Sequence, residues 1–250
     1  EVGLDIDQPY LIRLSSGRSI AAFFYNGPLS QAVAFEKLLA DGENFWRKLS
    51  ENPSSGLRSL GTDGETYGHH FMFGEMALAY VLEQANLGRD NMRLTNYAAY
   101  LAANPPQMEV QIHEPSSWRC VHGVGRWQTH CGCTNGGHPH WRQDWRRPLR
   151  RALNYARYYV NEHFFKTGKD LFVDPEQALL DYGSILSGLS DEDEYAATHL
   201  AKGLADSDRR LAFSLLAMQK WSLASFASCA WFFDDIARIE PINALTMCLR

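Results

Sequence analysis

A change of periodicity near residue 143 constrains this chain's fold more than any other feature. Beyond it, "DWRRPLRRALNYARYYVNEHFF", "DEDEYAATHLAKGLA" and "SDRRLAFSLLAMQKWSLASFA" each bring apolar residues back at helical spacing. The last of these is expected to be capped by Ser207 or Asp208. Residues 143–250 therefore read as a helical bundle. Ahead of that point, short apolar runs alternate with helical stretches. "SIAAFFY" (19–25) has the profile of a buried strand that ends at "NGP", and "LSQAVAFEKLLADGENFWRKL" that of a helix which Gly42 could interrupt. "LRSLGT" (57–62) reads as a second strand, "GEMALAYVLEQANLG" as a helix stopped at Gly88, "RLTNYAAYLAANPP" as a strand or a helix, and "QMEVQIHE" as an alternating strand. Strand, loop and helix in succession predict a parallel α/β sheet or barrel, in which loops at the carboxyl ends of strands hold the active site. Asp63 falls in such a loop. The expected class is α/β plus α. Its domains would be a partial (β/α) barrel over 1–115, a Cys/His/Trp-rich active-site loop over 116–142 and a helical domain over 143–250.

With 250 residues, 45% of them hydrophobic and 12% aromatic, the chain can bury a sizeable core. A formal charge of −5 and a pI near 6.0 leave no basic field for a phosphate backbone, which argues against nucleic acid as a partner. No apolar run reaches the ~18 residues of a spanning helix, and the start lacks the pattern of a secretory leader, so no membrane role and a cytoplasmic location are expected. The five cysteines are odd in number and three of them crowd into 120–133, which suits reduced thiols or a metal better than a disulfide framework. The chain opens on Glu1 and closes within the helical pattern "NALTMCLR", as a piece of a longer protein would. There is no low-complexity tract or repeat of fixed period. Nothing in the sequence fixes an oligomeric state.

Two stretches carry the chemistry. "LGTDGETYGHH" (60–70) packs two acids, two histidines, a tyrosine and three glycines behind an apolar run. Taken alone, its Asp-Gly pair is also what a plain turn before a helix would use. The second stretch is 114–149, which holds three of the five cysteines, four of the nine histidines and four of the seven tryptophans. Its five glycines mark a long loop, and loops of that length in a compact protein are commonly functional. Cys120, His122, Cys131 and Cys133 could together ligate zinc, although C-x-H with C-x-C is not the paired C-x2-C spacing of common zinc fingers. The other reading is that the cysteines pack as small buried hydrophobes and His122 hydrogen-bonds in the interior.

Four motifs in order, "TDGETYGHHFMFGEMALAYVLE", "SSWRCVHGVGRWQTHCGC", "WRQDWRRPLRRAL" and "SCAWFFDDIARIE", resemble those of a bacterial branch of glycoside hydrolase family 57-like proteins that carries a C-terminal domain of unknown function. The resemblance runs from about Arg18 to Ala244. It implies a retaining enzyme acting on an α-glucan or oligosaccharide, an α-glucan hydrolase or a 4-α-glucanotransferase or branching type. The implied fold is the C-terminal part of an incomplete (β/α)7 barrel followed by a helical bundle. Within it Asp63 of "DGETYG" is similar to the family's general acid/base, with Tyr67 where phenylalanine is common. Glu65 would hold a sugar hydroxyl or tune that aspartate, and His69 and His70 would hydrogen-bond sugar hydroxyls. Trp118 and Trp127 would be stacking platforms, Arg126 and His122 would reach hydroxyls, and Trp231 and Asp234 would fall in the family's last motif.

The chain also departs from that pattern. Nothing in 1–62 matches the nucleophilic glutamate or the early histidine motif, so half of the catalytic pair is missing from this chain. Ala230 stands where the branch has glycine, and "IARIE" where it has "ISGIE". For "WFFDDIARI" a helix with its aromatic side in the core is the plain alternative. No cofactor is implied by the resemblance, and zinc is the one the residues admit. Two further readings stand beside the enzyme: a non-catalytic structural or glycan-binding module holding zinc through the 120–133 loop, and a metal-dependent hydrolase using Asp63, His69 and His70.

Overall fold

The computed structural model describes residues 3–51, 56–117 and 119–250, and the chain divides into two compact units, Glu1–His113 and Glu114–Arg250. The segment 116–142 belongs to the second unit.

In the first unit β1 (Tyr10–Arg13) and β2 (Ser19–Ala22) form an antiparallel hairpin, with Tyr10 opposite Ala22 and Arg13 opposite Ser19. Gly17, at φ +79°, closes the turn between them. The expected strand in "SIAAFFY" is thus present over its first half, and its partner is antiparallel where a parallel sheet was expected. "QMEVQIHE" contributes a single parallel bridge, Glu109 beside Leu11. Residues 57–62 form no strand. Their backbone groups pair singly instead, as where Leu57 N donates to Asp7 O and Asn26 N to Ser59 O, both at 2.7 Å. Among the described residues the sheet is two-stranded, and no barrel closes.

Helices supply the core of this unit. α1 (Gly27–Phe35) starts where the Asn26 side chain accepts from Leu29 N, with Pro28 in the first turn, where a missing N–H costs nothing. The helical pattern then breaks, and α2 (Gly42–Ser50) restarts because Asp41 caps the N–H groups of Glu43 and Asn44. α3 (Gly74–Asn86) ends before Gly88, as its sequence predicts, and α4 (Tyr97–Ala103) settles the ambiguous segment as helix under an Asn96 cap. Val33, Leu38, Leu39, Phe45, Trp46, Ala77 and Val81 interlock as the core. Each large side chain there stabilises by about 1.5–3 kcal/mol through removal from water.

The second unit is helical, in keeping with its periodicity. α5 (Gly125–Gln128) is a single turn within the Cys/His/Trp-rich loop, and α6 (Arg146–Gly168) is the longest helix. α7 (Pro175–Asp181), α8 (Gly183–Leu186), α9 (Glu192–His199), α10 (Asp206–Ala224) and α11 (Ile239–Cys248) follow. α9 begins with Asp191 capping two N–H groups and three acids in its first turn, a favourable arrangement at the positive end of a helix. α10 is entered differently from expectation. Ala205 is its N-cap residue and no side chain caps it, because Ser207 and Asp208 already lie inside the first turn. One cluster gathers Phe164, Phe172, Tyr195, Leu215 and Leu216, and a second gathers Leu149, Leu153, Ala230, Trp231 and Ala244. "SCAWFFDDIARIE" is not one helix: a 3-10 turn covers Ser228–Trp231, and α11 starts at Ile239.

Candidate catalytic loop and candidate metal centre

In the first unit, the loop after residue 60 is held by its backbone. Gly61 N donates to Ser30 Oγ at 3.1 Å, and the 3-10 turn Gly64–Thr66 is closed by Thr66 N to Asp63 O and Tyr67 N to Gly64 O. Gly68, at φ +94°, reverses the chain so that its N–H meets Phe71 O at 3.0 Å. Thr66 is buried and acts as the root of the loop, while Asp63, Glu65, His69 and His70 are exposed around it. The Asp63 side chain caps none of the turn's N–H groups, so its carboxylate is not spent on local structure. The rings of His69 and His70 lie 5.0 Å apart, and the hydroxyls of Thr62 and Tyr67 bond at 3.1 Å. Thr62 and Tyr67 also line a mainly aliphatic cavity of about 770 Å³, with Phe45, Leu60, Leu82 and Met92 among its other walls; Asp63 is not part of the wall.

In the second unit, four of the expected ligands converge. Cys120 Sγ lies 3.8 Å from Cys131 Sγ, 3.9 Å from Cys133 Sγ and 3.8 Å from His122 Nδ1, and Cys133 Sγ lies 3.4 Å from His122 Nδ1. All four donor atoms fall within 4.8 Å of one another. The loop converges by glycine geometry and a hydroxyl bridge. Ser117 Oγ donates to Gly123 O and accepts from Cys120 N, Gly123 and Gly132 take positive φ, and a Cβ on Gly125 would sit 3.2 Å from the Cβ atoms of both Cys131 and His122. Burial opposes ionisation of Cys120, yet hydrogen bonds from the His122 backbone and ring, the Arg126 backbone and Cys131 outweigh it and bring this thiol down to about 6. At Cys133, burial and then the neighbouring sulfurs push the thiol up. Among the described residues this is the one group of three or more ligating side chains close enough to share an ion, and Asp63, His69 and His70 do not form such a group.

Beside the sulfurs lies a buried polar knot. Arg126 and Arg146 are 2% and 0% exposed. Both guanidinium groups donate to Phe232 O, Arg146 also to Cys133 O and Phe233 O, and Arg126 also to Asn135 Oδ1. Asp234, 6% exposed, accepts from Asn135 N with both oxygens, at 3.0 and 2.9 Å, and approaches Arg146 at 3.8 Å. Desolvation, chiefly, lowers the pKa of Arg146. Buried beside them, Nε of each arginine and Nε2 of Gln143 find no hydrogen-bond acceptor among the described residues.

These surroundings decide what several expected sugar contacts are used for. Trp231 has no exposed surface, and its indole donates to Arg146 O at 3.0 Å, so it is a core residue with no face left for a ring of sugar. One terminal nitrogen of Arg126 and both carboxylate oxygens of Asp234 likewise bond within the unit. Trp127 is half-buried, with its indole on Ser228 O at 2.9 Å, and His122 turns Nδ1 toward the sulfurs. Trp118 lies outside the described residues. Arg146, Gln143 and Asn135 were not singled out from the sequence. Arg146 stands at the head of an arginine-rich amphipathic helix, where such residues ordinarily face water.

Comparison with known proteins gives the fold and a partial family match. The family described as a domain of unknown function (DUF3536) matches residues 141–250, and no curated protein matches the chain. Among solved structures, the fold is similar to that of an exo-type maltose-forming amylase from Pyrococcus sp. ST04, at 18% identity and a TM-score of 0.65 over 99% of this chain and 48% of that one. The chain therefore spans about half the length of that structure.

Proposed function

We propose that this chain supplies the C-terminal part of a retaining carbohydrate-active enzyme of family 57 type, an α-glucan hydrolase or a 4-α-glucanotransferase or branching enzyme, with Asp63 as its general acid/base. The observation that carries this reading is the likeness of fold, along nearly the whole chain, to a maltose-forming amylase. The exposed Asp63 on a backbone-braced turn supports it. A retaining glycosidase needs one carboxyl to protonate the leaving oxygen and then deprotonate water, and a second carboxylate ~5–5.5 Å away as nucleophile. Asp63 takes the first role. Glu65, two residues on, is exposed and biases that proton or holds a sugar hydroxyl, and His69 and His70 bind hydroxyls. No residue of this chain is assigned as the nucleophile.

The test is Asp63→Asn in the full-length protein, assayed with maltooligosaccharides. Turnover should fall by roughly 10²–10⁴-fold with an unchanged circular dichroism spectrum, and undiminished turnover would remove the assignment. A non-catalytic structural or glycan-binding module is the second reading, and the converging Cys/His set is what favours it.

A further inference from the structure

We propose that Cys120, His122, Cys131 and Cys133 bind one zinc ion in a closed, four-coordinate structural site that also completes the charge balance of the buried Arg126–Arg146 pair. The proposal stands independently of the glucan reading.

The first support is distance. Zinc at ~2.3 Å from sulfur and ~2.0–2.1 Å from nitrogen places tetrahedral ligands about 3.8 Å apart for two sulfurs and about 3.6 Å apart for sulfur and nitrogen. Four of the six edges are 3.8 and 3.9 Å between sulfurs, and 3.8 and 3.4 Å from sulfur to His122 Nδ1, and all four donor atoms lie within 4.8 Å of one another. A disulfide would need ~2.05 Å between two sulfurs, and all five cysteines are free. Close-packed apolar cysteines have no reason to gather three sulfurs and a ring nitrogen around one point within 4.8 Å of one another.

The second support is charge. Two guanidinium groups are buried together, yet Asp234 is the one carboxylate near them: it reaches Arg146 at 3.8 Å, and among the described residues Arg126 has no carboxylate within ion-pair distance. A buried cation without a partner is costly. Zinc with three thiolates and a neutral imidazole carries one net negative charge, which together with Asp234 balances both arginines. The coupling is direct, because Arg146 donates to the carbonyl of the ligand Cys133. Four protein ligands fill the coordination shell and leave no open position for substrate, so the ion's work is structural. It ties residues 120–133 together and, through Asn135, to Asp234.

The experiment is metal analysis of the purified full chain, followed by cobalt exchange. About one equivalent of zinc is expected, with thiolate-to-cobalt charge-transfer bands and the strong visible bands of tetrahedral cobalt. Cys131→Ser should lose the metal, whereas Cys229→Ser and Cys248→Ser, outside the cluster, should keep it. Should Cys131→Ser fail to fold, stripping wild type with a chelator provides the second measurement: the melting temperature should fall and recover when zinc is returned. Folded wild-type protein without metal, or one whose melting temperature ignores the chelator, would overturn the proposal. Weak, octahedral cobalt bands would overturn the closed site.

Discussion

Glu43 on α2 accepts from Arg89 at 2.5 and 2.7 Å and from the Tyr80 hydroxyl, a cross-link from α2 to the middle of α3 and to the turn that follows it. Arg89 first, and then Tyr80, hold this carboxyl at about 2 against an ordinary 4.5. Since the folded value lies below the unfolded one, the stabilisation is present above pH 4.5 and is lost as the pH falls toward 2. The group is exposed and screened, so the effect is small. Glu43→Gln should flatten that part of the acid limb and leave the rest of the profile unchanged, as read by urea unfolding at a series of pH values. Trp231 makes a different point at this scale. Its residue type suits a sugar platform, and its neighbours Leu149, Leu153 and Ala244 make it a core side chain.

Among elements, helices were legible, whereas of the strands only the first half of "SIAAFFY" was, and its pairing was not. α2, α3, α6 and α10 are written in local spacing, and Gly88 marks the stop of α3, whereas the side-chain caps Asp41, Asn96 and Asp191 became evident only in the structure. A strand requires a partner that local spacing does not name. Residues 57–62 have the apolar profile of a strand, yet they make isolated hydrogen bonds with 7 and 26 instead of a ladder. The 114–137 loop is the element where one substitution should matter most. Gly123 sits at φ +65°, and a Cβ there would come within 2.7 Å of Pro115 O, a backbone atom that cannot swing aside. Gly123→Ala should destabilise the second unit by about 1–3 kcal/mol in chemical unfolding, with its helical content retained at neutral pH.

At the scale of the whole molecule, stability comes from three buried clusters and from no covalent cross-link. The melting temperature should accordingly be the same with and without a non-thiol phosphine reductant in scanning calorimetry; a large drop on reduction would mean that cysteines are paired in solution. Among the described residues no helix is long and apolar enough to cross a membrane. The two compact units divide at 113/114, and the Cys/His/Trp-rich segment packs within the second of them.

What the sequence determined by itself was whatever depends on near neighbours or on residue type: helices at a spacing of three and four, a glycine stop after α3, and a set of soft ligands within fourteen positions. The tertiary structure alone decided strand pairing, the burial of Arg126, Arg146 and Trp231, and the meeting of Asn135 with Asp234, 99 residues apart. The reason is physical. A hydrogen-bond partner, a counter-charge or the exclusion of water is supplied by whichever segments fold alongside, and no local pattern specifies which those are.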